Sequence, residues 1–284
     1  MKFINKLTKK KKIILGIAAV ALVAIAAELI RSNIFIDTQT VSYNGDNVQS
    51  DSIRIVQVSD FHNAGEWFEQ RVVNEVKELS PDIIVITGDT VDSRLTDFED
   101  AERLLVDLSE LADCYLILGN HEQRLADSDI EKLSDMCTEN GITLLDDKIS
   151  IYENGENRLV FVGTSSSVGG GFDGTVSELE KLGEKSVIWL HHFPEDMELI
   201  AEQCERIGVS QCLMFSGHAH GGLVGLPSRN ALYAPGQGLF PEYTGGEYKS
   251  DNGIVTMLLS RGVGNSGISR RMFNQPHIIV CDIE

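Results

Sequence analysis

The sequence predicts an α/β fold, because short apolar runs alternate along the chain with longer amphipathic stretches. The apolar runs have strand length and stop at polar or glycine residues; they cover residues 53–58, 83–86, 115–118, 187–190 and 213–215. A polar cluster follows each run, at the position where open α/β sheets collect functional side chains. Strand ends therefore carry the residues that matter most for function.

The stretches between the runs have helical length and apolar residues on one face, over 68–79, 98–111, 130–139 and 197–204. Two β-like segments, 149–152 and 159–162, bracket a polar turn and predict a hairpin. Segments 254–260 and 278–283 predict two late strands, and the remainder of 221–265 is glycine-rich and predicts irregular loops. Together these elements predict one large domain.

The first 31 residues form a separate segment. Six lysines precede an uncharged apolar run over 13–27, and extension to residue 30 adds Glu28 as the only charge. A basic flank before an apolar run places the amino terminus in the cytoplasm and the rest of the chain outside. We predict a cytoplasmic tail and a transmembrane anchor in residues 1–31, because the extended run approaches the roughly 20 residues that span a bilayer. A cleavable signal peptide is the alternative, since Ala24-Ile25-Ala26 resembles a signal-peptidase site.

Residues 32–284 are strongly acidic. The whole chain has a net charge of −19, and the first 31 residues contribute six lysines, one arginine and one glutamate, which leaves −25 for the rest. A domain this acidic repels polyanions, so nucleic acid is disfavoured as a partner. Small phosphorylated substrates remain compatible, because bound cations reverse the local field.

Six of the seven histidines lie in the polar clusters, which indicates a metal site. Asp60 and His62 stand two positions apart, as do His218 and His220, and in an extended chain that spacing turns both side chains the same way. Carboxylate and imidazole donors together suit a divalent transition metal.

Two further clusters supply oxygen donors. Gly88 permits a tight turn before Asp89, whose two carboxylate oxygens could bridge two ions. Asn120 offers a neutral amide oxygen at the end of the next run. Each motif alone is weak, but five in succession are rare by chance.

The series DFH, GDTVD, GNHE, HHFP and GHAHGG resembles the signature of the calcineurin-like metallophosphoesterase superfamily. The segments RIVQVSDFHN, YAPGQGLFPEYTGGEY and SRGVGNS are similar to its membrane-associated bacterial branch. The resemblance runs from about Ile53 to the carboxyl terminus, and we expect residues 32–284 to form the metallophosphoesterase domain. It implies a four-layer α/β/β/α sandwich, with two sheets face to face and the metal ligands at the carboxyl ends of the strands.

The resemblance also implies two divalent metal ions. The first ion would be held by Asp60, His62, Asp89 and His220, and the second by Asp89, Asn120, His192 and His218. The family's ligand is the histidine two positions before proline, which selects His192 and leaves His191 as a core residue or a neighbour of the ligands. Mixed nitrogen and oxygen donors suit Mn, Fe, Zn or Co, and the sequence does not choose among them.

The resemblance places His121 at the substrate phosphate instead of at a metal ion. As an imidazolium it could stabilise the transition state or protonate the leaving oxygen. Asp92 would orient His121, and a turn or helix cap is the alternative role for this aspartate. We interpret Glu122 as structural and His277 as having no role in the site.

Two departures from the family pattern bear on the substrate. Leu223 stands where the family often has glutamine, which puts a hydrogen bond to the substrate in doubt. Asp92-Ser93-Arg94 replaces the D-R-G of protein serine/threonine phosphatases, which disfavours protein phosphatase activity.

These expectations describe a single-pass membrane protein with an extracytoplasmic catalytic domain. It would hydrolyse phosphodiester or pyrophosphate bonds with a hydroxide activated by two metals. Lipid-linked or cell-envelope substrates are favoured, because the anchor keeps the site near lipids and the branch includes proteins compared with UDP-diacylglucosamine pyrophosphohydrolases. The alternatives are a catalytically silent metal-binding scaffold at the cell envelope, against which the complete ligand pattern argues, and a nuclease, against which the acidic surface and the anchor argue.

Overall fold

A computed structural model describes residues 8–45, 52–94, 98–165, 172–222, 231–265 and 270–284. The helices and strands, in chain order, are α1 (Lys9–Ile34), β1 (Asp37–Tyr43), β2 (Ile53–Val58), α2 (Glu66–Leu79), β3 (Ile83–Thr87), α3 (Glu99–Ser109), β4 (Asp113–Ile117), α4 (Asp127–Glu139), β5 (Thr143–Leu144), β6 (Lys148–Asn154), β7 (Asn157–Thr164), α5 (Asp173–Leu182), β8 (Ser186–His191), α6 (Met197–Ile207), β9 (Gln211–Ser216), β10 (Tyr233–Ala234), β11 (Gly238–Leu239), β12 (Gly246–Lys249), β13 (Val255–Leu259) and β14 (His277–Ile283).

Two six-stranded sheets form the centre of the fold. The first sheet has the order β1-β14-β2-β3-β4-β5, and the second has the order β12-β13-β9-β8-β7-β6. In the first sheet only β14 and β2 pair antiparallel, whereas in the second sheet the pairs β12–β13 and β6–β7 do so. Parallel neighbouring strands have their carboxyl ends at the same edge of the sheet. The loops that follow β2, β3 and β4 therefore lie side by side at one edge of the first sheet, and the loops that follow β8 and β9 lie side by side at one edge of the second.

The layers follow from which face each side chain buries. Ile53 and Ile55 of β2 pack with Phe161 and Leu190 of the second sheet in one core between the sheets. Val56 and other alternate residues of the first sheet pack against α2, α3 and α4 in a second core. The outer face of the second sheet packs against α5 and α6 in a third core. The result is the four-layer α/β/β/α arrangement that the family resemblance implied.

The predicted elements agree well with the observed ones. Strand β2 matches the predicted range, and β3, β4, β8 and β9 overlap theirs. The hairpin is β6 and β7, the late strands are β13 and β14, and the predicted helices are α2, α3, α4 and α6. Strand β1, the two-residue strand β5 and helix α5 were not predicted. The region predicted as irregular loops contains the short strands β10, β11 and β12, and residues 223–230, including Leu223, lie outside the described residues.

Helix α1 is long enough and apolar enough to cross a membrane. It has 26 residues, an apolar window with mean hydropathy 2.7, and no part of that window is buried against the protein. At 1.5 Å per residue it is about 39 Å long, more than the ~30 Å hydrocarbon thickness of a bilayer. Within the described ranges it is the one helix with these properties. A signal sequence shares them, so the anchor stays a prediction. The helix ends at Ile34, so the predicted boundary after residue 31 falls inside it.

Candidate metal centre

The loops that follow five strands meet at the edge shared by the two sheets. Strands β2, β3 and β4 of the first sheet lead to Asp60, Asp89 and Asn120, and β8 and β9 of the second lead to His192 and His218. Contacts between β3 and β8 and between β4 and β7 join the two sheets. Side chains far apart in the sequence are thereby brought into contact.

One group of donors consists of Asp60, His62 and His220. The Nε2 atoms of His62 and His220 lie 3.1 Å apart, and Nε2 of His220 lies 3.5 Å from Oδ1 of Asp60. One donor atom from each residue lies within 4.8 Å of the others, and all three residues are buried. This spacing lets the three donors surround one ion.

A second group consists of Asp89, His192 and His218, whose donor atoms also lie within 4.8 Å of one another. The amide oxygen of Asn120 lies 3.3 Å from Nε2 of His192 and adds a fourth donor. Oδ2 of Asp89 lies 3.4 Å from Nε2 of His192 and 3.7 Å from Nε2 of His62. Asp89 therefore stands between the two groups, as a bridging ligand would.

The backbone at these residues is unusual. Asp60, His62, Asp89, His218 and His220 all have positive φ, between 50° and 70°. Non-glycine residues seldom adopt such values, and they cluster at functional sites. The side chains of Asp60 and His62 thus converge through left-handed turns, and not through the extended chain that their spacing suggested. The expectation of a tight turn at Gly88 holds, because its φ is 85° and a Cβ there would lie 2.6 Å from the Gly119 backbone.

Hydrogen bonds distinguish the two adjacent histidines. Nδ1 of His192 lies 2.7 Å from the carbonyl oxygen of Thr87, so Nδ1–H donates and Nε2 faces the site. Both ring nitrogens of His191 are occupied, one 2.8 Å from the Thr164 hydroxyl and the other 3.0 Å from Asp196. His191 is thus a core residue, in agreement with its interpretation from the sequence.

Burial and charge set the protonation of the donors. Burial lowers the pKa of His62 to about 4 and that of His218 to about 3, so both rings are neutral at pH 7. Burial raises the pKa of Asp60 to about 6. Burial also disfavours charge on His192, but Asp89 outweighs it and raises the pKa of His192 to about 10.

This donor set fits divalent cations. Burial disfavours the ionised form of Asp89, yet His192 and the nearby histidines hold its pKa well below the usual range. Buried carboxylates require compensating charge, and His192 supplies it only when it is protonated. Neutral imidazoles with carboxylate and amide oxygens are ligands that Mn, Fe, Zn and Co accept.

His121 lies beside both donor groups. Its backbone N–H donates to Oδ1 of Asp89 at 2.8 Å, and its ring is 4.7 Å from that of His62. The backbone N–H of Ser93 donates to Nδ1 of His121 at 3.1 Å, so a neutral ring carries its proton on Nε2. Nδ1 also lies 3.3 Å from Oδ1 of Asp92, which can accept from it only when Nδ1 is protonated.

Asp92 has a second partner that the sequence did not reveal. Arg94 donates to both oxygens of Asp92, at 2.9 and 2.7 Å. Burial would raise the pKa of Asp92, but these bonds hold it well below the usual range. Asp92 is thus an ionised carboxylate shared between Arg94 and His121.

Glu122 organises the loops around the site. Its carboxylate accepts from the backbone N–H groups of Asp89, Val91 and Gly119 at 2.8 to 2.9 Å. These bonds join the loop after β3 to the loop after β4. The structural interpretation of Glu122 therefore has a specific basis. His277 is buried and accepts from the backbone N–H of Arg261, consistent with the absence of a role in the site.

Two residues near the donors were missed from the sequence. Arg271 is buried and its Nη2 lies 3.5 Å from Nδ1 of His220. Glu195 has two buried carboxylate oxygens that accept no hydrogen bond from any other residue that the structure describes. Oε1 of Glu195 and Nε2 of His218 lie within 3.2 Å of the point where a Cβ on Gly236 would stand. Only the position of Glu195 directly after the H-x-P motif could have suggested it.

The sequence profile of the family described as calcineurin-like phosphoesterase matches residues 53–222. An Aquifex aeolicus protein named an uncharacterized metallophosphoesterase is 29% identical over 245 residues, which are 82% of this chain and 85% of that protein. A Danio rerio protein named transmembrane protein with metallophosphoesterase domain is 28% identical over 183 residues, 60% of this chain and 40% of that protein.

Two further likenesses concern a short segment and the fold. The UDP-2,3-diacylglucosamine pyrophosphatase LpxG of Chlamydia trachomatis is 36% identical over 74 residues, 25% of this chain and 22% of LpxG. The crystal structure of TT1561 of Thermus thermophilus superimposes with a TM-score of 0.50 at 11% identity, covering 75% of this chain and 90% of that one. That likeness shows a common fold.

Proposed function

The chain belongs to the calcineurin-like phosphoesterase family, and we propose that it hydrolyses phosphodiester or pyrophosphate bonds with two divalent metal ions. The first ion would be held by Asp60, His62, Asp89 and His220, and the second by Asp89, Asn120, His192 and His218. The observation that carries the proposal is the position of Asp89, whose Oδ2 lies 3.4 Å from His192 on one side and 3.7 Å from His62 on the other.

Bound divalent cations would neutralise charge on the phosphate and lower the pKa of an attacking water. The protein's part is to fix the donors before the substrate arrives. Thr87 holds the His192 ring through Nδ1, and the Ser59 hydroxyl and the His218 backbone N–H both donate to Asp60. These bonds keep the donor atoms aimed at the site.

His121 is our candidate for the group that acts on the substrate. Nε2 lies on the side of the ring away from Ser93 and can carry a proton. When Nδ1 is also protonated the ring is an imidazolium, and transfer of its Nε2 proton to the leaving oxygen would leave a neutral imidazole and avoid the release of a high-energy alkoxide. Asp92 would stabilise the ring when Nδ1 is also protonated, so we assign Asp92 as a positioning residue.

The substrate class follows from where the anchor holds the site. With α1 in the bilayer and the basic tail in the cytoplasm, the catalytic domain would be extracytoplasmic and next to lipid headgroups. The partial likeness to LpxG, named a pyrophosphatase of a diacylated sugar nucleotide, supports a lipid-linked or cell-envelope phosphoanhydride as a candidate substrate. The acidic domain disfavours nucleic acids.

The full-length protein in detergent provides the test. Metal is removed with a chelator, Mn²⁺ is restored, and hydrolysis of bis(p-nitrophenyl) phosphate, nucleotide sugars and lipid pyrophosphates is followed. We expect hydrolysis to vanish on chelation and to return with Mn²⁺. Tight binding of Mn²⁺ without hydrolysis of any ester would instead support a catalytically silent scaffold.

A further inference from the structure

The outer end of α1 is built into the catalytic domain. The Asn33 side chain donates to the carbonyl oxygen of Arg271 at 2.9 Å and accepts from the Arg271 N–H at 3.0 Å. Glu28 accepts from the backbone N–H of Phe273 at 3.0 Å. Only Phe35 and Ile36 separate α1 from β1, which pairs with β14 from its first residue. The helix therefore has a fixed position relative to the domain, with no flexible linker between them.

The segment that α1 holds also contacts the metal centre. Nη2 of Arg271 donates to the carbonyl oxygen of Gly264 at 2.6 Å and lies 3.5 Å from Nδ1 of His220. The side-chain amide of Asn274 donates to the carbonyl oxygens of His220 and Gly222. Arg271 therefore contacts both Asn33 at the end of α1 and the candidate metal ligand His220.

A cavity of about 340 Å³ lies between α1 and this centre. Its polar lining includes His62, Asp92 and Asn33 of α1. Trp67 and Phe68 form an apolar wall. A ligand that fills the cavity would contact the metal centre at His62 and the outer end of α1 at Asn33.

Three exposed aromatic side chains lie near the outer end of α1. Trp67 is 60% exposed, Phe35 is 53% exposed and Phe273 is 42% exposed. Arg71 donates to the carbonyl oxygen of Ile34 and lies over the Trp67 ring, which fixes Trp67 beside the helix. Exposed aromatic residues at the end of a membrane-spanning helix are typical of the level of the lipid headgroups.

The charge at this place also fits a headgroup layer. Arg31 belongs to the last turn of α1, Arg71 contacts its end, and Arg270 lines the cavity. Arg31 also forms an ion pair with Glu28. All three cations lie at the end of α1 or line the cavity beside it, although the domain as a whole is strongly acidic. Cationic side chains near the bilayer surface are attracted to anionic phosphates.

We propose that the rim of this cavity, formed by the last turn of α1 and Trp67, lies in the headgroup layer and admits a phosphate ester whose apolar chain stays in the bilayer. This inference rests on the proposed function, since it places the substrate of the same centre. It adds an entry route: the ester approaches sideways along α1, and its phosphate reaches His62 while its chain remains beside Trp67.

Tryptophan fluorescence tests the location without any activity measurement. The chain has two tryptophans, Trp67 on the rim and Trp189 fully buried in the core. We expect the full-length protein in phosphatidylcholine vesicles to lose fluorescence when the acyl chains are brominated. Trp67→Phe, which leaves only Trp189, should remove that loss. Equal quenching of both proteins, or none in either, would overturn the proposal.

Two phosphodiesters with the same leaving group test the substrate. Hexadecyl and methyl 4-nitrophenyl phosphate are hydrolysed by each protein in vesicles, and the ratio of their kcat/KM values is compared. Each ester partitions into the bilayer to the same extent whichever variant is present. A change in the ratio of the two kcat/KM values therefore reports a change in how the cavity accepts the apolar chain. We expect Trp67→Ala to lower the ratio roughly tenfold and Trp67→Phe to preserve most of it. An unchanged ratio in Trp67→Ala would overturn the entry route, whereas failure to hydrolyse either ester would refute the proposed function and leave the fluorescence result to decide the location.

Discussion

Oδ2 of Asp89 lies 3.4 Å from Nε2 of His192, although Asp89 follows a strand of the first sheet and His192 follows a strand of the second. The contact makes the two-sheet sandwich a requirement of the site, because neither sheet alone supplies both groups of donors. Asp89 is also tied down on its main chain, since its N–H donates to Glu122 at 2.9 Å.

Asp89→Asn should lower both metal content and turnover. The amide oxygen of asparagine carries no formal charge, so it bridges two cations poorly, and we expect kcat/KM to fall about 10³-fold. Metal content measured by elemental analysis and hydrolysis of bis(p-nitrophenyl) phosphate check this result. Asp173→Asn, an exposed substitution at the start of α5, is the matched control and should behave as the unaltered protein. Normal turnover in a metal-depleted Asp89→Asn protein would disprove the metal assignment.

His121→Ala should separate chemistry from metal binding. The bond from residue 121 to Asp89 comes from the backbone N–H, so alanine keeps it and both ions should stay bound. We expect kcat to fall by roughly 10²- to 10⁴-fold, the usual range for acid–base catalysis. The loss should shrink for p-nitrophenolate, which leaves without protonation. Loss of a metal ion, or an equal loss for good and poor leaving groups, would contradict the role of general acid.

Asp92→Asn should cause a milder defect than His121→Ala. Asparagine retains one oxygen for Arg94 but no longer stabilises a protonated His121 ring, so we expect a loss of kcat on the order of tenfold. The metal content should not change. A positioning role predicts that the variant keeps the leaving-group dependence of the unaltered protein, and disappearance of that dependence would show that Asp92 itself handles the proton.

Glu69, which is not among the candidate metal ligands, should make stability depend on pH. Burial, with Asp107 nearby, raises the pKa of Glu69 to about 7 from 4.5. A raised folded-state pKa means that the protonated carboxyl is stabilising below pH 4.5 and that this stability is lost as the pH rises to 7.

Glu69→Gln should therefore raise Tm at pH 8 by about 2–4 °C, the shift that 1 kcal/mol produces in a domain of this size, and should change it little at pH 4.5. Thermal unfolding at the two pH values measures the effect. Glu78→Gln, on an exposed position of the same helix, controls for the change in net charge. The same gain at both pH values would rule out titration of Glu69 as the cause.

The sequence predicted the elements that are buried on both faces. Strand β2 matched its predicted range because every residue from Ile53 to Val58 except Arg54 and Gln57 is apolar. Strand β1 was not predicted, because it is a half-exposed polar edge strand whose partner, β14, lies at the other end of the chain. The doubling of the sheet came from the family resemblance, since periodicity cannot say which sheet a strand joins.

The candidate donors were also predicted from motifs, but their surroundings were not. The left-handed turns at Asp60 and His62, the bond between Thr87 and His192, and the contact of Arg271 with His220 depend on how distant segments pack. Local spacing carries no information on such contacts. The joining of α1 to the metal centre belongs to the same class, because Asn33 and Arg271 are near neighbours only in the folded chain.

Anomalous diffraction from crystals of the full-length protein loaded with Mn²⁺ would show directly whether the two donor groups hold two ions bridged by Asp89. We predict two anomalous peaks, one on each side of the Asp89 carboxylate. The first should contact Asp60, His62 and His220, and the second should contact Asn120, His192 and His218. A single peak, or two peaks that do not share Asp89, would contradict the account.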